Sequence, residues 1–174
     1  MLRQIGIVSL IFLCHTAIAQ EFTFKELAEL SEGNYENFEA IVSRKGFEFY
    51  KMETPTLEPR TKTSWFHFQK LANGKIESID YIQRIENWRA DQQKIEVTYS
   101  TYDLNYFIAL KSQLTKNSFK ISSTDKLADG YMIINNYRSD TFWGWTVSTV
   151  QSRDREKNII SYSLSINKTQ KISN

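Results

Sequence analysis

The sequence predicts an α+β fold, with helices packed on one face of a mostly antiparallel sheet. Apolar residues recur at helical spacing from Phe22 to Gly46 and again over residues 103–117. Through most of the remaining chain they alternate with polar residues, which indicates strands. Asn73-Gly74 is a two-residue hairpin signal, because both turn positions need positive φ. Helices that precede hairpin-linked strands are typical of the α+β class.

The first nineteen residues are predicted to be a secretory signal peptide. Arg3 gives a positive start, residues 5–13 are mostly apolar, and Ala17-Ile18-Ala19 fits the small-x-small pattern before a cleavage site. Cleavage after Ala19 predicts a secreted or periplasmic protein. Lipid attachment at Cys14 is the alternative, but the bulky Leu13 stands where such sites carry a small residue.

Cleavage would leave residues 20–174 as a single domain with no cysteine and with His67 as its one histidine. A zinc site built from Cys and His is therefore excluded, and we predict no cofactor and no metal. The whole chain carries 22 basic and 20 acidic residues, and only Arg3 leaves with the leader. This balance argues against nucleic acid as a partner. No second apolar run approaches the roughly 20 residues of a membrane-spanning helix, so no integral membrane segment is expected after cleavage.

Two short helices are predicted at the start of the mature chain. Thr23-Phe24-Lys25-Glu26 is a capping box, and Gly33 ends the apolar face that follows it. Asn34 can cap the second helix, which Gly46 ends.

Strands are predicted in two groups, separated by a third helix. The first group covers residues 47–50, 65–68, 75–88 and 94–101. The helix is predicted over about 103–117, with its apolar residues at i, i+3 and i+7. The second group opens at 119–121 and continues over 131–138, 141–151 and 158–167.

The two groups match each other at an offset of 72 residues. The matched positions are Tyr35, Phe38, Val42, Phe47 and Phe49 with Phe107, Leu110, Leu114, Phe119 and Ile121. The closing strands are also predicted to correspond, Lys94–Tyr99 with Asn158–Ser163. An internal duplication would make residues 20–101 and 102–174 two tandem helix-then-meander repeats. Convergent amphipathic patterning explains the same matches, and both explanations stay open.

This order of elements resembles the helix-plus-meander repeats of the beta-lactamase-inhibitor-protein and outer-membrane-assembly small lipoprotein type. The resemblance is one of architecture and covers most of the mature chain. It rests on no motif, so it carries no functional residue over to this sequence. The leader and the richness in Lys, Asn, Ile and Ser also resemble small secreted proteins of Gram-negative bacteria. An inhibitor or immunity-type role fits this class by analogy of fold.

Few residues are candidates for catalysis. His67 is the one imidazole left for a general base, but a half-buried strand histidine is the preferred interpretation. Carboxylate pairs can catalyse without histidine, and the candidates are Glu53 with Glu58 and Asp80 with Glu86. Residues 125–130 resemble a calcium loop only loosely, because the alternating ligands and the closing Glu are missing, so a turn is preferred.

Aromatic residues make up 14% of the chain, and its four tryptophans are the candidates for partner or ligand binding. These residues are Trp65, Trp88, Trp143 and Trp145. The pattern predicts Trp143, Trp145 and Val147 on one face of a strand, with Gly144 between the first two. Rings that fill the core are the preferred interpretation of this pair, and an exposed aromatic platform is the alternative.

We therefore predict a secreted or periplasmic, non-catalytic binding protein that recognises a protein or an envelope component. The alternative is a carrier that holds an apolar small ligand in a pocket between sheet and helices. A carboxylate-dependent hydrolase is the third interpretation.

Overall fold

The structure is a computed structural model, and it describes residues 21–56, 61–89, 91–127, 131–154, 156 and 158–171. The predicted signal peptide lies outside the described residues, and Cys14 lies there with it. Glu58 and residues 128–130 of the candidate calcium loop also lie outside them.

The described residues form three helices and eight strands. The helices are α1 (Phe24–Glu32), α2 (Tyr35–Arg44) and α3 (Leu104–Lys116). The strands are β1 (Glu48–Glu53), β2 (Thr61–Ala72), β3 (Lys75–Trp88), β4 (Gln92–Thr101), β5 (Lys120–Leu127), β6 (Met132–Arg138), β7 (Trp145–Arg153) and β8 (Ile160–Lys171).

The predicted α+β class, with helices packed on one face of the sheet, is wrong, because strands dominate the fold. Strands hold 55% of the described residues and helices 23%. The first two helices have 9 and 10 residues, whereas β2 and β3 have 12 and 14. Several strands run far beyond their predicted ends, and β5 continues through a polar segment that lacks apolar alternation. The protein is therefore predominantly β, with short helices.

All eight strands belong to one antiparallel sheet with the order β1-β2-β3-β4-β8-β7-β6-β5. Each half of the chain supplies a meander of four consecutive strands. The two meanders meet where β4 pairs with β8. Consequently β1 and β5 are the edge strands.

The cross-strand pairing follows the same path in both halves. From the β1 edge, Lys51, Trp65, Gln83 and Thr98 are successive neighbours, and from the β5 edge, Ser123, Asn136, Ser148 and Ser165 are. Thr98 and Ser165 pair with each other at the centre, where their hydroxyl oxygens lie 2.7 Å apart. We call these eight residues the central row.

Both edge strands carry an irregularity at the same place. The register of β1 shifts between Phe49 and Lys51, and that of β5 shifts between Ile121 and Ser123. Each residue of the first pair lies 72 positions before its counterpart. Bulges of this kind bend an edge strand and make it a poor template for further pairing.

The two helices that precede these strands also end alike. Gly46 and Ser118 follow α2 and α3 with φ of 87° and 64°. The next residue in each case donates its N–H to a helix carbonyl, that of Val42 at 3.2 Å and that of Leu114 at 3.0 Å. This is the left-handed helix ending that satisfies free carbonyls. Common ancestry of the two halves stays a prediction.

The predicted match of Lys94–Tyr99 with Asn158–Ser163 is out of register. It would place the buried positions of β4 on half-buried or exposed positions of β8. Thr98 and Ser165 hold the same place in the central row, and they are an odd number of residues apart, whereas the predicted match is an even number apart. An odd difference between the two offsets moves every side chain to the other face of the strand. The sequence match fails because the connections between strands differ in length in the two halves.

One buried cluster joins the apolar residues of the helices to those of the strands. Helix members are Leu27, Leu30, Phe38, Val42, Leu110 and Leu114, and strand members include Phe66, Ile82, Val97, Val147, Leu164 and Ile166. We call the side of the sheet that bears these strand residues the inner face. The opposite side, which bears the central row, is the open face.

The predicted capping box at the start of α1 is confirmed. Thr23 accepts a hydrogen bond from the N–H of Glu26 at 3.2 Å, and the Glu26 carboxylate accepts one from the N–H of Thr23 at 2.7 Å. Asn34 caps α2 by accepting from the N–H of Asn37 at 2.9 Å. Both starts could be predicted because the interacting groups are three residues apart.

Candidate functional site

A groove of about 380 Å³ lies on the open face above β5, β6, β7 and β8. Its floor is polar and contains Ser123, Asn136, Ser148 and Ser165 of the central row, with Thr146 and Asn167 beside them. Glu96 of β4 lines one side and Arg138 of β6 lines the other. The groove thus offers hydroxyl and amide groups along its length and opposite charges at its ends.

The alternation of side chains between the two faces of β7 and β8 produces this polar floor. Val147 and Leu164 point to the inner face and are buried, so Thr146, Ser148 and Ser165 point to the open face. Because the alternation has a period of two, the polar residues that line the groove fall on the same side, whereas Thr149 lies on the inner face and is buried.

Aromatic residues occupy the equivalent place in the first half of the sheet. Trp65 stands in the central row where Asn136 stands in the second half. One step along the strands, Tyr81 corresponds to Thr146. The Nζ atom of Lys51 lies 5.3 Å above the Trp65 ring. We call Tyr50, Trp65, His67 and Tyr81 the aromatic patch.

The groove has one acidic end. Glu96 has a side chain that is 29% exposed, and its ion pair with Lys94 spans 3.8 Å. The Lys94 side chain is itself 49% exposed, so this pair is weak and easily replaced.

The other end of the groove is basic. Lys120 and Arg138 are direct cross-strand neighbours on β5 and β6, and both are exposed. Within the described ranges neither of them has an ion pair. Asp125 of β5 accepts a hydrogen bond from the side-chain amide of Asn136 at 3.2 Å.

The tryptophans predicted for binding do not come together. Trp143 is 89% exposed and lies in the turn before β7, where Gly144 has a φ of 78°. The predicted strand face that Trp143 shares with Trp145 is therefore wrong, and so is the core interpretation of Trp143. Trp145 packs against the buried cluster, with the Nζ atom of Lys168 4.9 Å above its ring.

The remaining two tryptophans lie on separate strands. Trp65 is half-buried in the aromatic patch, and its Nε1 atom is buried without a hydrogen-bond partner among the described residues. Trp88 is half-buried at the end of β3, opposite Gln93. The binding role of all four tryptophans stays a prediction.

The candidate catalytic groups are held by structural partners. His67 is half-buried, with its Nε2 atom 3.9 Å from a Glu48 carboxylate oxygen and its ring 5.4 Å from that of Tyr50. Glu53 is paired with Lys51 at 2.7 Å, and its predicted partner Glu58 is not described.

The second carboxylate pair is far apart. Asp80 and Glu86 are six residues apart on β3, which is about 20 Å along a strand. Glycosidase carboxylates stand roughly 5–10 Å apart. Burial raises the pKa of the Asp80 carboxyl, which accepts a hydrogen bond from the Tyr99 hydroxyl at 2.8 Å. Glu86 is paired with buried Arg84 at 2.6 Å.

Among the residues that the structure describes, no three His, Cys, Asp or Glu side chains are placed to hold a metal ion. In the same part of the chain, no helix has the length and apolar content needed to span a membrane. Asp125, the first residue of the candidate calcium loop, lies inside strand β5.

Sequence reasoning missed the groove. The alternation of β8 places its serines on one face, but nothing local in the sequence indicates that β8 lies between β4 and β7. No family model matches the sequence, and neither a curated protein nor a solved structure matches the chain. The site is therefore argued from its own geometry.

Proposed function

We propose that this chain is a secreted or periplasmic, non-catalytic recognition protein that binds a protein or an envelope component through the open face of its sheet. The polar groove between Glu96 and Arg138 is the observation that carries the proposal. Its floor is built on paired strands rather than loops, so the polar groups are held in place before a partner arrives. Preorganised groups lose less entropy on binding.

The polarity of the groove favours recognition over transport of an apolar ligand. Sites for apolar small molecules are lined mainly by hydrophobic and aromatic side chains. This floor carries hydroxyl and amide side chains rather than the hydrophobic and aromatic side chains that such sites use. A carrier would also need space beside the buried cluster, where Leu27, Phe38, Phe66 and Ile82 are almost completely buried.

The positions of the carboxylates favour a non-catalytic role. Asp80 and Glu86 lie on the inner face of β3, away from the groove, and each is committed to a neighbouring side chain. Glu96 is the one carboxylate that lines the described groove. A glycosidase-type mechanism needs two that face one bond.

Site-specific photocrosslinking tests this function. A photoreactive amino acid at the position of Ser148, in the groove floor, should yield one discrete adduct in the source cells. The same amino acid at Lys25, whose side chain is 86% exposed on α1, is the matched control. No adduct at position 148, or the same adduct at both positions, would contradict the proposal.

Mass spectrometry separates the carrier alternative. Protein purified from its own cells and measured under native conditions should have the mass of the chain alone or of a complex with its partner. A stoichiometric apolar molecule that leaves on mild denaturation would instead favour a carrier.

A further inference from the structure

We infer that the groove binds a short extended peptide, about five to seven residues long, with its acidic end at Arg138 and Lys120 and its basic end at Glu96. This inference rests on the proposed function and names the ligand class of the open face. The peptide would lie across the strands, above the polar floor.

The spacing of the charges sets the length of the ligand. Glu96, Asn167 and Thr146 are successive cross-strand neighbours on β4, β8 and β7, and Arg138 and Lys120 are neighbours on β6 and β5. Arg138 follows Tyr137, which pairs with Val147 beside Thr146, so the two charged ends lie across five adjacent strands. Neighbouring strands lie about 4.8 Å apart, so Glu96 is about 14 Å from Arg138 and about 19 Å from Lys120. An extended peptide advances about 3.3 Å per residue, so the two charged residues are about four to six positions apart in a peptide of about five to seven residues.

The basic end is built as an anion site. Like charges directly opposite each other in an antiparallel pair are destabilising. Lys120 and Arg138 are such a pair, and no acidic side chain among the described residues neutralises either. A carboxylate between them would convert this repulsion into two charge-assisted hydrogen bonds.

The floor matches the chemistry of a peptide backbone. Ser, Thr and Asn side chains each both donate and accept hydrogen bonds, and a peptide presents N–H and C=O groups along its length. Sugar sites commonly place an aromatic ring against the apolar face of the sugar. Tyr137 is the one aromatic residue of the described groove wall, and it is buried with its side chain on the inner face. The floor therefore fits a peptide better than a glycan.

Comparison of the two halves shows how to close the groove. Asn136 of β6 and Thr146 of β7 occupy the positions that Trp65 of β2 and Tyr81 of β3 occupy in the first half. The first half of the sheet accommodates large rings at the corresponding positions, Trp65 and Tyr81. The double variant Asn136→Trp/Thr146→Tyr should therefore fill the groove while the fold is kept.

The test is an NMR titration of the isotopically labelled protein. The probe is a pool of acetylated and amidated pentapeptides with Lys at one end, Asp at the other and three random residues between. A second pool replaces the Lys by Gln and the Asp by Asn. We expect the charged pool to shift backbone amides of β5–β8, with an apparent Kd about tenfold lower than that of the neutral pool and rising with salt.

Three variants check the site. Arg138→Gln should weaken binding of the charged pool about tenfold. Arg44→Gln, at an exposed position of α2, should leave the binding unchanged. The double variant Asn136→Trp/Thr146→Tyr should abolish the shifts. Dispersion of the amide spectrum reports in each case whether the variant is folded.

The outcomes are distinct. Shifts outside the groove, equal binding of the neutral pool, or no shifts at all would overturn the inference. Groove shifts with chitotetraose but not with peptides would assign the site to glycans, which overturns the inference and leaves the proposed function standing. Failure of all these probes together with no crosslink at position 148 would remove both.

Discussion

The Nη1 atom of Arg84 donates a hydrogen bond to the main-chain carbonyl of Leu30 at 2.7 Å, although the two residues are 54 positions apart. The same guanidinium donates from Nη2 to the Gly33 carbonyl at 2.7 Å and from Nε to Glu86 at 2.6 Å. Arg84 is 1% exposed. A buried cation in β3 thus satisfies the free carbonyls at the end of α1 and joins that helix to the sheet.

Loss of this cation should be strongly destabilising. Arg84→Met leaves buried Glu86 without its partner and the α1 carbonyls without donors, so we expect about 3–5 kcal/mol less stability. Urea unfolding followed by circular dichroism measures this. Arg44→Met, at an exposed position of α2, should change the stability by less than about 0.5 kcal/mol. Because an apolar pair avoids the unpaired charge, Arg84→Met/Glu86→Leu should recover part of the loss, and no recovery would contradict this account.

Asp80 should make the protein less stable as the pH rises through its titration. Burial raises the pKa of its folded-state carboxyl above that of the unfolded chain, although hydrogen bonds from Tyr99 and Thr101 oppose the shift. The folded state therefore binds more protons, and this group's contribution falls between the unfolded and the folded pKa. Lys70 and Asp103 are the charged groups that act on it.

Asp80→Asn removes this titration while keeping an acceptor for the Tyr99 hydroxyl. The stability of the variant relative to the parent should rise as the pH increases from about 3.5 to 7, measured by urea unfolding at each pH. A difference that does not change with pH, or falls with it, would show that Asp80 does not titrate as described.

Glu26 should have the opposite pH dependence. Burial alone would raise the pKa of its carboxyl, but hydrogen bonds from Lys45 and Thr23 and the Lys45 charge outweigh burial and lower it. Its contribution is therefore present above the unfolded pKa and is lost as the pH falls through the folded pKa. Lys45 lies 2.8 Å from Glu26 and is 8% exposed on its side chain.

Glu26→Gln should cost about 1 kcal/mol at pH 7 and progressively less as the pH falls through the lowered pKa of the folded-state carboxyl, as read from unfolding curves. The estimate allows for solvent screening of a carboxylate that is 35% exposed. Glu29→Gln on the same helix is the control, because its pairing with Lys25 is exposed and spans 3.7 Å. Equal losses for both variants at pH 7 would count against the role of Lys45.

The matched helix endings predict opposite effects of two exchanges. Ser118 has a φ of 64° after α3, where glycine carries no steric cost, so Ser118→Gly should stabilise by about 0.5–1 kcal/mol. Gly46→Ser should destabilise by at least about 1 kcal/mol, because its φ is 87° and a Cβ would lie 3.4 Å from the Phe68 ring. Thermal unfolding of both variants checks this, and effects of the same sign would disprove the equivalence.

Replacing Trp143 and replacing Trp145 should have clearly different effects on stability. Trp143→Ala should change stability by less than about 0.5 kcal/mol, because the ring is almost wholly exposed. Trp145→Ala should cost about 2–3 kcal/mol, because its ring contacts the buried cluster. Urea unfolding measures the costs, and acrylamide quenching of fluorescence should fall most in the Trp143 variant. Similar losses in both variants would contradict the placement.

Local signals could be predicted from the sequence, and non-local ones could not. The starts of α1 and α2 follow from Thr23 and Asn34, whose side chains cap residues three positions away. The Asn73-Gly74 hairpin also appears as predicted, with φ of 52° and 74° at its two residues. Each of these features is decided within a few residues.

The polar strands carry no comparable local pattern from which they could be predicted. Every residue of β5 is exposed, so the strand carries no apolar alternation and is held by its pairing with β6. Gly144 turns the chain just before β7, which removes Trp143 from the strand that the alternation predicted. The groove depends on Glu96 and Asn167 being cross-strand neighbours, a relationship that spans the two meanders.

The position of β8 governs when the fold can be completed. Among the described strands β8 comes last along the chain, yet it lies at the centre of the sheet and pairs with both β4 and β7. A nascent or truncated polypeptide that stops before Ile160 would present β4 and β7 as bare edges, which are the surfaces from which aggregation starts. The pairing of β4 with β8 joins residues at least 61 positions apart in the chain, and long-range strand pairing of this kind slows folding.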